Sequence, residues 1–435
     1  MQVFCLDSEI SHDLERSLPQ KVYNFLHQNY SYDIETNEIV KSIIEQVKNE
    51  KDHALVELSN KFDKANFKNA KDFVVDFQEI QNLNIQIDER LKLALDTAFQ
   101  RIDNYHRQQL PLDFFTTDES GMKLGNVWQA IEKIGVYVPA GSASYPSSVL
   151  MSIVPAIVAG VKEVYITTPL ANHQINPAIL YCAKICQVKK IYKIGGAQAI
   201  SALAFGTPTI SKVDKIVGPG NSFVALAKKQ LYGEVGIDMI AGPSDVSIIA
   251  ENFANPKWIA IDALSQLEHG IDSKAFIFVD DMEFANKIIH HINDFLKILP
   301  RRKIIEESLK NSAIFVLNNL LHSSKLINFI APEHLQIIVK NHSPYLEKIS
   351  NAGAIFIGEY TPEAIGDYIA GPSHTLPTSA NARFASGLSV YDFLKRRSIM
   401  QCDKKSFQVL ASHASAIANC EGLTAHQLSI DIRNL

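Results

Sequence analysis

From Lys133 onward the chain alternates short apolar runs with helical stretches, and that rhythm constrains its fold more than any other feature. Ile134–Val138, Val164–Thr168, Lys190–Ile194 and Lys215–Val217 read as strands. Each leads into a helix: one capped by Ser147 or Ser148, one over Pro177–Val188, and two more from Ala197 and Asn221. Strands joined by helical crossovers lie parallel in one sheet. The rhythm resumes with strands at Val246–Ala250, Ala275–Val279, Ala313–Val316 and Ala354–Ile357, whose helices begin near Pro256, Met282, Ser323 and Ser343. At 435 residues the chain exceeds what one core usually supports. The expected fold is therefore α/β, with two Rossmann-like parallel-sheet domains and Gly242-Pro-Ser244 as a crossover between them. The expected division is 1–29 as an N-terminal helical arm, 30–134 plus 245–387 as the first α/β domain, 135–244 as the second, and 388–435 as a helical tail. Before the alternation starts, Ile39, Val40, Ile43, Ile44 and Val47 keep a helical period, as do Leu91, Leu95, Ala98, Ile102 and Tyr105; Asp72–Phe77 between them reads as a strand.

Composition narrows the class. The chain is 46% hydrophobic and 20% charged with a net charge of −5, which gives no basic surface for nucleic acid or an acidic membrane. The longest apolar run, Val149–Val161, is interrupted by Pro155 and is too short to span a bilayer. The N-terminal stretch carries acids early and lacks the pattern of a signal peptide. Five cysteines without framework spacing suit a reducing compartment, and Cys182 and Cys186, at i, i+4 in an apolar helix, suit packing. A cytoplasmic protein is expected.

Two glycine turns, Gly195-Gly-Ala-Gln198 and Gly218-Pro-Gly-Asn221, each follow a strand and open a helix. Singly, either is as well explained as a tight turn; together on neighbouring parallel strands they favour a nucleotide at the carboxyl edge. Tyr137 and Pro139-Ala-Gly141 end a third strand at that edge, where they suit a ring or a ribose. Further on, Gln266 and His269 stand one helical turn apart, so an amide oxygen and an imidazole share a face. Glu333-His334 follows Ala331-Pro332, a turn or helix start, and pairs a carboxylate with a group that titrates near neutrality. Asp367 reads as a helix cap or turn residue, and His374 lies in an irregular loop. Glu421 and His426 are five positions apart in the tail, not a one-face spacing, while His290-His291 reads as a solvated face. No local motif of the H-E-x-x-H or C-x-x-C kind is present, so any metal site is assembled from distant segments.

The segments GVYVPAG (135–141), GGAQAI (195–200), GPGN (218–221), IDMIAGPSDV (237–246), LSQLEHG (264–270), APEHL (331–335), NAGAIFIGEYTPEAIGDYIAGPSHTLPT (351–378) and EGLTAH (421–426) closely resemble the histidinol dehydrogenase family, in family order. The first 130 residues resemble it only in helix pattern. The resemblance implies a zinc enzyme that oxidises L-histidinol to L-histidine through histidinaldehyde and reduces NAD twice. It implies one Zn²⁺ per subunit on Gln266, His269, Asp367 and His426, with Glu333 and His334 as the acid/base pair. Ser244, His374 and Glu421 would hold the substrate beside His334 and the metal ligands, and Tyr137, Gln198 and Asn221 would contact NAD. It also implies an intertwined homodimer whose tail carries Glu421 and His426 into the partner's site. Leu267, where members often carry alanine, is a minor departure. Two rival readings stand beside this one: a dehydrogenase for another amino alcohol, and a silent metal- or nucleotide-binding scaffold.

Overall fold

The computed structural model describes residues 1–6, 10, 13–27, 34–140, 145–170 and 174–433. Two six-stranded sheets and one smaller antiparallel sheet organise them. The first large sheet is all parallel, in the order Gln2–Leu6, Ala313–Leu317, Lys274–Val279, Asp245–Ala250, His334–Ile338, Ala354–Ile357. The second runs Val74–Asp76, Lys190–Tyr192, Glu163–Thr167, Lys133–Tyr137, Lys215–Val217, Gly236–Ile237, with only Val74–Asp76 antiparallel. In each, an early strand takes one edge; the rest of the sheet starts at an inner strand, moves outward toward that edge, and then crosses to the other side. The expected alternation of strands and helices is thus present, and every strand expected from Lys133 onward is found within a few residues.

Parallel sheets bury both faces, and each sheet here lies between two apolar layers. The helices Pro146–Ala159 and Pro177–Ile185 cover one face of the second sheet, while Gly196–Phe205 and Ser222–Leu231 cover the other. The early helices complete those same layers. Val40, Ile43, Ile44 and Val47 join the second face, and Ile80, Leu95, Ala98 and Ile102 join the first. Residues 34–107 therefore belong with the 135–244 domain, which corrects the expected grouping of 30–134 with 245–387. An amphipathic stripe specifies that a helix is covered, without saying by which sheet.

Three further expectations change. The N-terminal segment is not wholly helical, because Gln2–Leu6 pairs in parallel with Ala313–Leu317. Helices Leu14–Ser17 and Gln20–Leu26 follow it, burying Leu14, Leu18, Val22 and Phe25 against Phe276 and Phe315. The tail is not wholly helical either. Leu388, Val390 and Phe393 enter the core beside Pro146–Ala159, and Leu394–Gln401 pairs antiparallel with Lys123–Ala130, which pairs in turn with Phe114–Thr117. Helix Pro146–Ala159 begins at its proline, with neither Ser147 nor Ser148 as its cap. Beyond the third sheet, helices Lys404–Cys420 and Thr424–Asp431 form a hairpin that leaves Ile417, Leu428 and Ile432 more than half exposed. Cys182 and Cys186 are buried in the helical layer as expected, and all five cysteines are free. Among the described residues, no helix is long and apolar enough to cross a membrane.

The Gly218–Asn221 loop is held from below. Lys228, on the helix that this loop opens, donates to Gly218 O at 3.0 Å and pairs with the Asp238 carboxylate. Asp238 also accepts from Gly218 N at 2.8 Å and Met239 N at 2.6 Å, and both charged side chains are buried. Gly218 has φ +107°, and a Cβ there would strike Tyr137 O, so only glycine fits. Replacing Lys228 with Met should strand a buried carboxylate and cost about 3 kcal/mol. Urea unfolding should show this as a lower midpoint at unchanged slope; an unchanged midpoint would remove the pair from the loop's support.

Candidate active site

The two large sheets meet with opposite polarity. The carboxyl ends of Lys133–Tyr137 and Lys215–Val217 face the amino ends of Asp245–Ala250 and His334–Ile338 across a cleft of about 420 Å³. From the first edge come Pro139 and Gly218–Asn221; from the second come Ser244, Glu333 and His334, joined by Gln266, His269, Asp367 and His374. The expectation that distant segments must assemble the site therefore holds for these residues.

Local structure explains each placement. Helix Pro256–Leu267 ends just after Gln266, and His269 lies beyond its C-cap, with His269 N donating to Gln266 O at 3.3 Å. Ala331 takes the left-handed conformation at φ 50°, which turns the chain so that Pro332 and Glu333 lead straight into the buried strand His334–Ile338. Glu333 N donates to the buried Asp245 carboxylate at 3.2 Å, and Ala354 N donates to Glu333 O at 3.0 Å. Asp367 sits in a one-turn π-helix, Gly366–Ala370, that continues the short helix Glu363–Ile365; such single turns recur at functional sites. It is therefore neither a cap nor a simple turn residue. His374 Nδ1 meets Asp367 O at 3.0 Å and its Nε2 meets Ser148 Oγ at 3.3 Å. A carbonyl can only accept, so Nδ1 carries the proton and Ser148 donates to Nε2.

His334 is the centre of the electrostatics. Its Nδ1 lies 3.9 Å from both Glu333 Oε2 and Glu363 Oε1, and its Nε2 lies 3.6 Å from Asp367 Oδ1. Among the described residues, both ring nitrogens and Glu333 Oε2 are buried without a hydrogen-bond partner. Burial disfavours the imidazolium, but Glu363, Glu333 and Asp367 together overcome it and raise His334 to about 10. Burial pushes Glu333 up to about 7 against the pull of His334, and Glu363 up to about 8. Asp367 is lowered despite its burial because His334, His374 and His269 surround it. Burial lowers both His269 and His374, which keeps those rings neutral.

A metal-sized cluster is present in one chain: ligand atoms of His269, Glu363 and Asp367 lie within 4.8 Å of one another. Glu363 was not singled out by sequence reasoning, although its i, i+4 spacing from Asp367 after Pro362 was there to be read. Glu421 and His426 are exposed on the tail and do not line the cleft. On the side of the second sheet, Asn221 lines the cleft while its Oδ1 caps helix Ser222–Leu231 by accepting from Val224 N. Tyr137 and Gln198 lie behind the loop. Both are buried, and the Tyr137 hydroxyl accepts from Gly196 N at 3.1 Å. Gly141 falls outside the described residues.

Comparison with known proteins identifies the family. A family model for histidinol dehydrogenase matches residues 27–434. The chain is 46% identical over 396 residues to histidinol dehydrogenase of Clostridium acetobutylicum, covering 91% of each chain. It is 44% identical over 420 residues to that of Streptococcus mutans, covering 95% of this chain and 97% of the relative. The crystal structure of histidinol dehydrogenase from Elizabethkingia anophelis superposes with a TM-score of 0.92 at 36% identity, covering 100% of this chain and 98% of that one. With sequence, fold and cleft in agreement, the chain belongs to the histidinol dehydrogenase family of oxidoreductases.

Proposed function

We propose that this cleft oxidises L-histidinol to L-histidine through L-histidinaldehyde, a four-electron reaction that depends on zinc and uses two NAD, as the final steps of L-histidine biosynthesis. The observation that carries the reading is His334, buried among carboxylates with both ring nitrogens unpartnered, in a cleft whose far wall is a glycine loop at a helix N-terminus.

The donor set suits zinc. His269 offers a neutral imidazole, Asp367 a carboxylate held ionised by its neighbours, and Gln266 an amide oxygen. Zinc bound there would offset the surplus negative charge, bring His334 back toward its basic form, and anchor the amine and imidazole nitrogens of histidinol. NAD, held at Asn221 with Tyr137 and Gln198 supporting its loop, would accept one hydride in each oxidation.

The protein's own groups handle the protons. In the first step His334 takes the hydroxyl proton as the carbinol carbon gives up hydride, leaving the aldehyde. A positioned base of this kind contributes roughly 10² to 10⁴ in rate. In the second step water adds to the aldehyde carbon, and Glu333, raised to about 7 and so able to gain or lose a proton near neutrality, takes the water's proton. His334, having returned its first proton to the aldehyde oxygen as water added, then deprotonates the hydrate as the second hydride leaves, giving the carboxylic acid, which ionises. The sequence motifs place no cysteine as a nucleophile, so a thiohemiacetal route is not proposed. Ser244 and His374 border the substrate space.

The fourth zinc ligand, His426, and the substrate residue Glu421 are assigned to the partner subunit of a homodimer. Supporting this, the tail that bears them leaves apolar Leu423, Leu428 and Ile432 exposed, and the antiparallel sheet leaves Phe115 and Met400 exposed. The reading includes a cytoplasmic location, which rests on the odd, unpaired cysteine count.

NADH yield per histidinol consumed should be two. Glu333→Gln should slow aldehyde oxidation by about 10² or more while slowing alcohol oxidation less than about tenfold; equal losses would refute the division of roles. Mixed dimers of His334→Asn and His426→Asn proteins should regain activity that neither has alone, and no recovery would count against shared sites.

Chelator-stripped protein should also respond to pH. A folded-state pKa of about 10 lies above the ordinary histidine value, so the stability His334 contributes is complete below about pH 6.5 and is lost as pH rises through 10. Between pH 7.5 and 9 stripped protein should lose up to about 1.4 kcal/mol per pH unit in urea unfolding. Zinc-loaded protein should not, because its donors bind metal best when deprotonated. A flat profile for stripped protein would show that His334 is neutral there.

A further inference from the structure

Glu363 is the acid that the proposed chemistry leaves without a task. It is 4% exposed, deep beneath the cleft, and one of its oxygens belongs to the cluster formed with His269 and Asp367. Besides His334, 3.9 Å from Oε1, it meets the side-chain amide of Gln266, which is fully buried in the last turn of helix Pro256–Leu267. That amide approaches both Glu363 oxygens, at 2.9 Å to Oε2. With Glu363 ionised, as a cation bound beside it would keep it, its carboxylate and an amide oxygen can both only accept, so the NH₂ end of Gln266 faces Glu363. This network assigns the orientation of the amide. Gln266 Oε1, at the opposite end of a planar group, is then turned away from Glu363.

We infer that Glu363 is a positioning residue for the metal: it holds the Gln266 amide by its NH₂ end, so that Oε1 is the atom offered as a ligand. An unrestrained glutamine presents either end, and the NH₂ end cannot ligate a cation. Outer groups that orient a ligand in this way typically contribute 10- to 100-fold in metal affinity.

The surroundings hold this stretch of backbone in place. The carboxylate is anchored by the start of a short helix at Pro362, and Gly366 packs so closely on the Phe356 ring that a Cβ would clash with it. The Phe356 ring in turn packs on His334, with centroids 5.8 Å apart. Asp262, one turn before Gln266, does not compete for the amide, since its carboxylate accepts from Gln336 Nε2 at 3.0 Å.

The inference rests on the zinc reading above, and zinc affinity tests it without recourse to activity. Metal-stripped full-length protein is titrated with zinc against a chromophoric chelator, for wild type, Glu363→Ala, Gln266→Ala and the double variant. Glu363→Ala should weaken zinc 10- to 100-fold when Gln266 is present and less than about threefold when it is absent, the non-additivity expected of groups that act as one unit. Glu363→Gln, which keeps an acceptor oxygen, should recover most of the loss. NAD affinity should be unchanged in each single variant. Should Glu363→Ala fail to fold, Glu363→Leu fills the space without accepting a hydrogen bond and supplies the same cycle. Equal losses with and without Gln266, or a Glu363→Gln protein as weak as Glu363→Ala, would overturn the positioning role and leave zinc binding intact. Wild-type protein that takes up no zinc would overturn both readings.

Discussion

A buried imidazole held among three carboxylates governs the rest of the cleft. His334, Glu333, Glu363 and Asp367 are brought into a space that excludes most water, where uncompensated charge is costly. The cluster responds by retaining protons, with His334 at about 10, Glu363 at about 8 and Glu333 at about 7. A divalent cation bound beside them would lower all three values, because nearby positive charge disfavours each protonated form. The same crowding that makes the site uncomfortable when empty of positive charge thus fits it to receive some. A silent scaffold has no need of such an arrangement.

The sheets explain why that cluster faces a glycine loop at a helix N-terminus. In open parallel sheets ligands usually gather at carboxyl edges, where strand order reverses. The second sheet obeys this rule, and Gly218–Asn221 sits at its reversal point. The first sheet presents its opposite edge: Ser244 precedes Asp245–Ala250, and Glu333 precedes His334–Ile338. Opposed in this way, one sheet contributes helix N-termini and glycine turns, and the other contributes acids and imidazoles fixed by the first residues of buried strands.

Much of this was legible in the sequence, because alternating apolar runs and helical periods are local patterns. The strands Lys215–Val217 and Ala354–Ile357 are found where their residues indicated. What escaped depends on partners far away in the chain. Gln2–Leu6 stands outside the strand–helix alternation and pairs only with the distant Ala313–Leu317, and Leu394–Gln401, rich in charge and exposed, lacks an apolar alternation. His334–Ile338 was hidden by the proline before it, which signals a turn but not the strand beyond it. Early helices showed their apolar faces without showing which sheet they cover. Of the site, spacing brought out Gln266 with His269 and Glu333 with His334, whereas Asp367 took its meaning only from the family resemblance. Glu363 needed the fold itself, since its importance comes from facing an amide on another helix.

The pairing of Gln2–Leu6 with Ala313–Leu317 has a consequence for how the chain is made. Synthesis proceeds from the amino end, and domains that are continuous in sequence begin folding as they emerge. The first strand therefore waits, unpaired, until most of the polypeptide has left the ribosome. Meanwhile the half built on the second sheet, from the early helices to Gly236–Ile237, is free to begin consolidating, lacking only the Leu388–Phe393 segment and the strand Leu394–Gln401 that join it later. Contacts that join such distant segments form slowly, because a long loop must close before they stabilise anything. The half built on the first sheet is thus the late-maturing half, and apolar Phe4 and Leu6 at its leading edge stay uncovered in the interval.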